Sequence, residues 1–199
     1  LLWLLQPLAR LLDRAQHQLA PEGRSRCAAM PWPRASGEVG DLVQVTGTAG
    51  ENQNQTQVTL TTFESCGTGS VTPTDITLPA ASATALEAYE GMLVRFAQTL
   101  YVSEHFQLGR FGQVLLSGSA RLKQPTNAVA PGAPALALQA QNDLNQIIVD
   151  DDSQTENPDP IAFGRGGLPL SASNTLRGGD TVDNLVGVID LGEHAGSAY

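Results

Sequence analysis

YEGMLVRFAQTLYVSEHFQLGRFGQVLLS, residues Tyr89–Ser117, holds two strand-like runs, Met92–Val102 and Gln113–Ser117, joined by the polar, aromatic and glycine-bearing connection SEHFQLGRFG. The first run is rich in Val, Leu, Phe and Tyr. Its alternation is imperfect: Leu93, Arg95 and Ala97 fall on one face, Val94, Phe96 and Gln98 on the other. That pattern suits a strand covered on both sides. Tyr89, Phe96, Tyr101, Phe106 and Phe111 are five of the ten aromatics in the chain, so the stretch supplies much of any core.

Upstream, VGDLVQVTGTAGENQNQTQVTLTTF reads as strand, polar turn and strand: Leu42–Ala49, Gly50–Gln55 and Thr56–Phe63. Val, Thr and aromatic residues at near-alternate positions favour a pleated surface. Glu64–Ser70 reads as a turn around Cys66. VTPTDITLP is extended, because Pro73 and Pro79 push their predecessors toward β. SATALEAYEG predicts a short helix, with Thr84 and Glu87 as a capping box and Gly91 as the stop.

Downstream, ARLKQPTNAVAPG reads as a loop. Pro134 opens a second predicted helix, about 134–145, with Leu136, Leu138, Ala140 and Leu144 as its apolar set. Ile147–Val149 is a short strand, DDDSQTENPDP a polar turn, and Leu176 to Asp190 a strand pair around Gly178-Gly179-Asp180. Short strands spaced by turns, with one or two short helices, predict a mostly β fold: a small OB-like antiparallel barrel or an open sandwich.

Residues 1–37 differ in character. Leu at 1, 4, 5, 8, 11, 12 and 19 has helical spacing, and a helix is expected from Pro7 to Leu19. Residues 21–37 read as linker, with Pro31 and Pro33 forbidding continuous helix. Residues 1–40 hold five of the eleven basic residues against three of the twenty acidic ones, a net of +2, which leaves −11 for residues 41–199 of a chain at −9. We therefore divide the chain into residues 1–37, an N-terminal helix and linker derived from a fragmentary start, and residues 38–199, the β domain. The opening LLWLLQPLARLL is about twelve residues long, short of the ~20 a spanning helix needs. It also lacks the basic region and cleavage site of a signal peptide.

Only 16% of the residues are charged, while Gly and Pro number 20 and 12. Such a composition suits a loop-rich β domain. An acidic chain gains nothing from the counterion release that drives non-specific DNA binding, so any nucleic-acid contact must be local, metal-mediated or carried by another domain. The two cysteines, Cys27 and Cys66, form no framework; two unrelated thiols are expected ahead of a mutual disulfide. No cysteine–histidine spacing suggests zinc.

EVGDLVQVTGTAGENQNQTQVTL, VTPTDITLPAAS, LEAYEGMLVRFAQTLYVSEHFQLGRFGQVLLS, RLKQPTNAVAPG, NDLNQIIVDDDSQTENPDPI and LSASNTLRGGDTVDNLVGVID occur in this order. Together they resemble the region before the catalytic domain of secreted bacterial extracellular nucleases of the ExeM/NucH type. The likeness covers residues 38–199. It implies an OB-like accessory module, secreted, followed in the same polypeptide by an endonuclease/exonuclease/phosphatase domain that uses a divalent metal, Mg²⁺ or Ca²⁺. The residues of this segment carry no signal of that catalytic half, so no catalytic residue is assigned and the segment is expected to be inactive alone.

Two clusters are candidate sites. His105, Phe106, Arg110 and Phe111 place a basic group among aromatics, able to stack and steady a base; the alternative is that both phenylalanines pack the rim of the fold. Asp150, Asp151 and Asp152 are the densest acidic run and could hold Ca²⁺ or Mg²⁺, yet they lack EF-hand spacing, and a solvated turn is the alternative. Two further functions follow from these alternatives: a cell-surface adhesion module, and a metal-dependent hydrolase in its own right.

Overall fold

A computed structural model describes residues 2, 3, 28, 29, 41–52, 55–151, 153 and 155–190. The helix expected from Pro7 to Leu19 lies outside them. In chain order the strands begin with β1 (Leu2–Trp3), β2 (Ala28–Ala29), β3 (Asp41–Asn52), β4 (Gln55–Thr68), β5 (Thr74–Ile76), β6 (Leu93–Phe96) and β7 (Leu100–Glu104). After the single turn α1 (Leu108–Phe111) come β8 (Gln113–Ser117), the helices α2 (Pro125–Ala128) and α3 (Ala133–Leu144), β9 (Gln146–Asp150), β10 (Thr181–Val182) and β11 (Leu185–Ile189).

The fold is mostly β, and its sheets are open. One sheet runs β10-β7-β8-β9-β1-β11-β6-β5 and the other β2-β3-β4, neither closing into a barrel. Pairing is antiparallel except between β5 and β6 and between β1 and β9.

The core belongs to the larger sheet. Val94, Phe96, Leu100, Val102, Val114, Leu116, Ile147, Val149 and Ile189 are buried in one cluster with Ile76, Leu78, Leu108 and Leu185. These are alternate residues of β6, β7, β8 and β9, as the period of a pleated strand requires. Each large apolar side chain so covered contributes about 1.5–3 kcal/mol.

Several expectations need correction. Met92–Val102 is not one strand. It breaks at Ala97–Thr99, so that β6 pairs with β11 while β7 pairs with β8. Gln98 occupies the break. Its Nε2 donates to the carbonyls of Leu78 and Gly118 at 3.0 and 2.8 Å, and its Oε1 accepts from the Leu78 N–H at 2.9 Å. A side-chain amide thus replaces ladder bonds that the backbone gives up there. The strands near the C-terminus do not pair with each other: β10 joins β7 and β11 joins β6.

The capping-box helix is a 3-10 helix, Ala85–Tyr89, whose Thr84 makes no side-chain cap. The predicted Glu64–Ser70 turn is strand through Thr68, and the predicted loop after Arg121 contains α2. Helix α3 presents Leu136 to solvent at 73% exposure and buries Ala135, while Leu138 and Leu144 of the predicted apolar set are half-buried. Cys66 is disulfide-bonded, which overturns the expectation of two unrelated thiols; Cys27 lies outside the described residues.

Candidate nucleic-acid interface

Strand β7 ends at Glu104, and His105–Gln107 lead into α1. Leu108 anchors this connection in the core. Gly112 closes α1 with φ 66°. Only glycine takes that conformation without penalty, and an added Cβ would also strike the Asp151 carboxylate. With Leu108 turned inward, Phe106 stands 75% exposed. Of the two phenylalanines, then, Phe106 is the free one. Phe111 is half-buried, with the Arg110 guanidinium 4.9 Å from its ring centroid.

Arg110 is already occupied. Its Nη2 lies 3.4 Å from both carboxylate oxygens of Glu156. Its carbonyl accepts the Asn157 N–H at 2.7 Å. The positive charge that sequence reasoning placed at this face is balanced by a neighbour that it did not include.

The structure brings the two candidate clusters together. In the β8–β9 register Gln113 faces Asp150, and Gln113 Nε2 donates to Asp150 Oδ2 at 2.7 Å in a buried setting. Asp151 Oδ1 accepts the Ser153 N–H at 3.0 Å. Burial pushes the Asp151 carboxyl above the ordinary carboxylate range, opposed by that hydrogen bond. Both carboxylates are therefore bonded within the protein. Asp152 lies outside the described residues. Among the described residues no group of three or more His, Cys, Asp or Glu is placed to hold a metal ion.

A third segment completes the face. Ser103 sits at a β-bulge where the β7–β8 register shifts between Val102 and Glu104, which turns its hydroxyl toward Ser117. The two Oγ atoms are 2.6 Å apart and buried. Ser117 Oγ also lies 2.6 Å from the Ala120 carbonyl, and the Leu122 N–H donates to Ser103 Oγ at 2.8 Å. Buried hydroxyls require such partners. Here they fasten residues 120–122 across the ends of β7 and β8.

That fastening delivers Arg121 to the groove beside Phe106. Its Nε is 3.4 Å from the Ser103 carbonyl. Its guanidinium lies against the Gly178 backbone, where an added Cβ would come within 2.7 Å of Cζ. Ser103, Glu104, His105, Phe106, Arg121 and Gly178 line an open cavity of about 440 Å³. Arg121 also lines a second cavity of about 560 Å³, together with Lys123 and the inner side of α3. Sequence reasoning missed Arg121 and Lys123. The available signal was that ARLK carries two of the six basic residues in 41–199.

No helix among the described residues is long and apolar enough to cross a membrane. In comparisons with known proteins, the chain matches no family model, no curated protein and no solved structure.

Proposed function

We propose that this chain is a non-catalytic β module of a secreted, DNA-degrading nuclease, and that it steadies nucleic acid weakly beside a metal-dependent nuclease domain of the same polypeptide. The observation that carries the reading is Phe106. A large aromatic, 75% exposed, stands on a rim anchored by Leu108 and shares its cavity with His105 and Arg121. An aromatic face beside a cation is what a stacked base and its phosphate require, and stacking contributes about 1–3 kcal/mol per base. The resemblance of residues 38–199 to the region preceding such nuclease domains supports the same reading.

Affinity is low in this account, because the net charge of −9 opposes the approach of a polyanion. The module orients substrate and leaves capture and cleavage to the attached domain, which would hold the Mg²⁺ or Ca²⁺. Asp150 and Asp151 are not assigned that metal role, since among the described residues no group of three or more His, Cys, Asp or Glu is placed to hold an ion.

The test is a plasmid-nicking assay of the chain with Mg²⁺, Mn²⁺ and Ca²⁺, run beside a titration of a labelled single strand. The reading predicts intact plasmid and weak, salt-sensitive binding. Cleavage that is lost in Asp151→Ala would establish a self-sufficient hydrolase instead.

A further inference from the structure

We infer that a single-stranded nucleic acid follows a defined path on this module, with a base on Phe106 and phosphates two nucleotides apart on Arg121 and Lys123. The inference rests on the proposed nucleic-acid role and adds the residues and the direction of travel.

Four observations carry it. First, the cations of the β domain are unequal. Arg95 is paired with Asp75 and Arg110 with Glu156; Arg121, Lys123, Arg165 and Arg177 have no carboxylate partner among the described residues, and of these four Arg121 and Lys123 line the two cavities. Second, Arg121 lines both cavities, so the groove holding Phe106 and the one holding Lys123 adjoin at its side chain. Third, Arg121 and Lys123 are exposed while Leu122 between them is half-buried. That alternation points both cations outward, as in extended chain. Two residues of extended chain span about 7 Å, the length of about two steps of a stacked strand at ~3.4 Å each. Fourth, the hydroxyl network of Ser103 and Ser117 fixes this segment, so little ordering is needed on binding.

Glu104 also lines the Phe106 cavity. It disfavours a phosphate there and so places the base, not the backbone, at that end. A base needs a free aromatic face; a duplex keeps its bases stacked on one another. The path therefore selects single strands.

The test is fluorescence anisotropy of the 199-residue chain with a short labelled oligothymidylate at several salt concentrations. Two phosphate contacts give a slope of log K against log salt near −1.4, at about −0.7 for each contact on a single strand. Lys123→Ala and Arg121→Ala should each flatten the slope by about 0.7, and Arg121→Lys should restore it. Phe106→Ala should weaken binding about fivefold or more at every salt concentration, leaving the slope unchanged. Arg165→Ala, outside both cavities, should change neither. Among the described residues the Phe106 and Lys123 side chains make no hydrogen bond, so those variants read binding, not folding. Undiminished binding by the Arg121→Ala, Lys123→Ala double variant would overturn the path while leaving the module reading intact. Duplex binding as tight as single-strand binding would also overturn the path. No binding by the unaltered chain at millimolar protein would overturn both.

Discussion

The β3–β4 ribbon and the rim where β7 turns into β8 are both polar, solvent-facing parts of one chain, yet they differ in what they offer a ligand. The ribbon is long and paired from Asp41↔Thr68 to Asn52↔Gln55, with register shifts at Leu42/Val43 and Thr46/Gly47. It contains no Lys or Arg, and it carries Asp41, Glu51 and Glu64. Among its described side chains Val43 alone is buried, and Val43 is not part of the main core cluster. The rim is short, seated on Leu108, and set beside Arg121. Length and exposure therefore do not make a nucleic-acid surface. In the proposed reading, a core anchor that throws one aromatic outward, with a cation held nearby, is what does.

The largest predicted effect separates the two regions by stability. Phe96 is fully buried, so Phe96→Ala should cost about 3–5 kcal/mol in chemical denaturation. Leu60→Ala on the ribbon, where Leu60 is 39% exposed, should cost under about 1 kcal/mol by comparison. Equal losses would mean that the ribbon and the large sheet share one core, and the contrast would fail.

Next in size is the network that positions Arg121. Ser117→Ala removes the hydroxyl bonded to Ser103 and to the Ala120 carbonyl. Leaving those buried groups unpaired should cost about 1–3 kcal/mol. The same variant should weaken strand binding by loosening residues 120–122. Loss of stability with binding unchanged would show that the network does not place Arg121.

A similar loss is expected from Gly112→Ala. It puts a side chain at φ 66°, a conformation that costs about 1–2 kcal/mol in a non-glycine residue, and drives it onto Asp151. Amide exchange should rise in α1 and leave β3–β4 untouched.

The smallest effects are electrostatic. Arg95 grips Asp75 at 2.6 and 2.8 Å across the β5–β6 pair. That hydrogen bond holds the Asp75 carboxyl below its ordinary range. Its contribution is therefore present above the unfolded-state pKa of an aspartate and is lost as pH falls through the lower folded value. Asp151 runs the other way. Burial raises its pKa, so the fold gains from its protonation at low pH and loses that gain as pH rises through the folded value. Asp151→Asn should then be slightly stabilising at neutral pH and neutral in acid. The reverse pH trend in denaturation midpoints would contradict the assigned environments.

Much of the large sheet was legible in the sequence because its strands are buried and apolar. Gln113–Ser117 was delimited correctly, and Ile147–Val149 was one residue short at each end. The break in Met92–Val102 was not legible, because it depends on Gln98 finding the carbonyls of Leu78 and Gly118, twenty residues away on either side. The ribbon was placed correctly but underestimated, since Asn, Gln and Gly at its tip read as turn residues. At the candidate site, the aromatic connection was visible from composition. The compensation of Arg110 by Glu156 was not, nor was the delivery of Arg121 by two buried serines. Arg110 meets Glu156, and Ser103 meets Ser117 and Leu122, across segments distant in sequence, and local pattern carries no record of them.

The most direct test of the account is an NMR titration of the chain with oligothymidylate, following backbone amides through to saturation. The account predicts shifts at Glu104–Phe106 and Ala120–Lys123, with the β3–β4 ribbon unmoved. Shifts concentrated in Asp41–Thr68 and absent around Phe106 would contradict it.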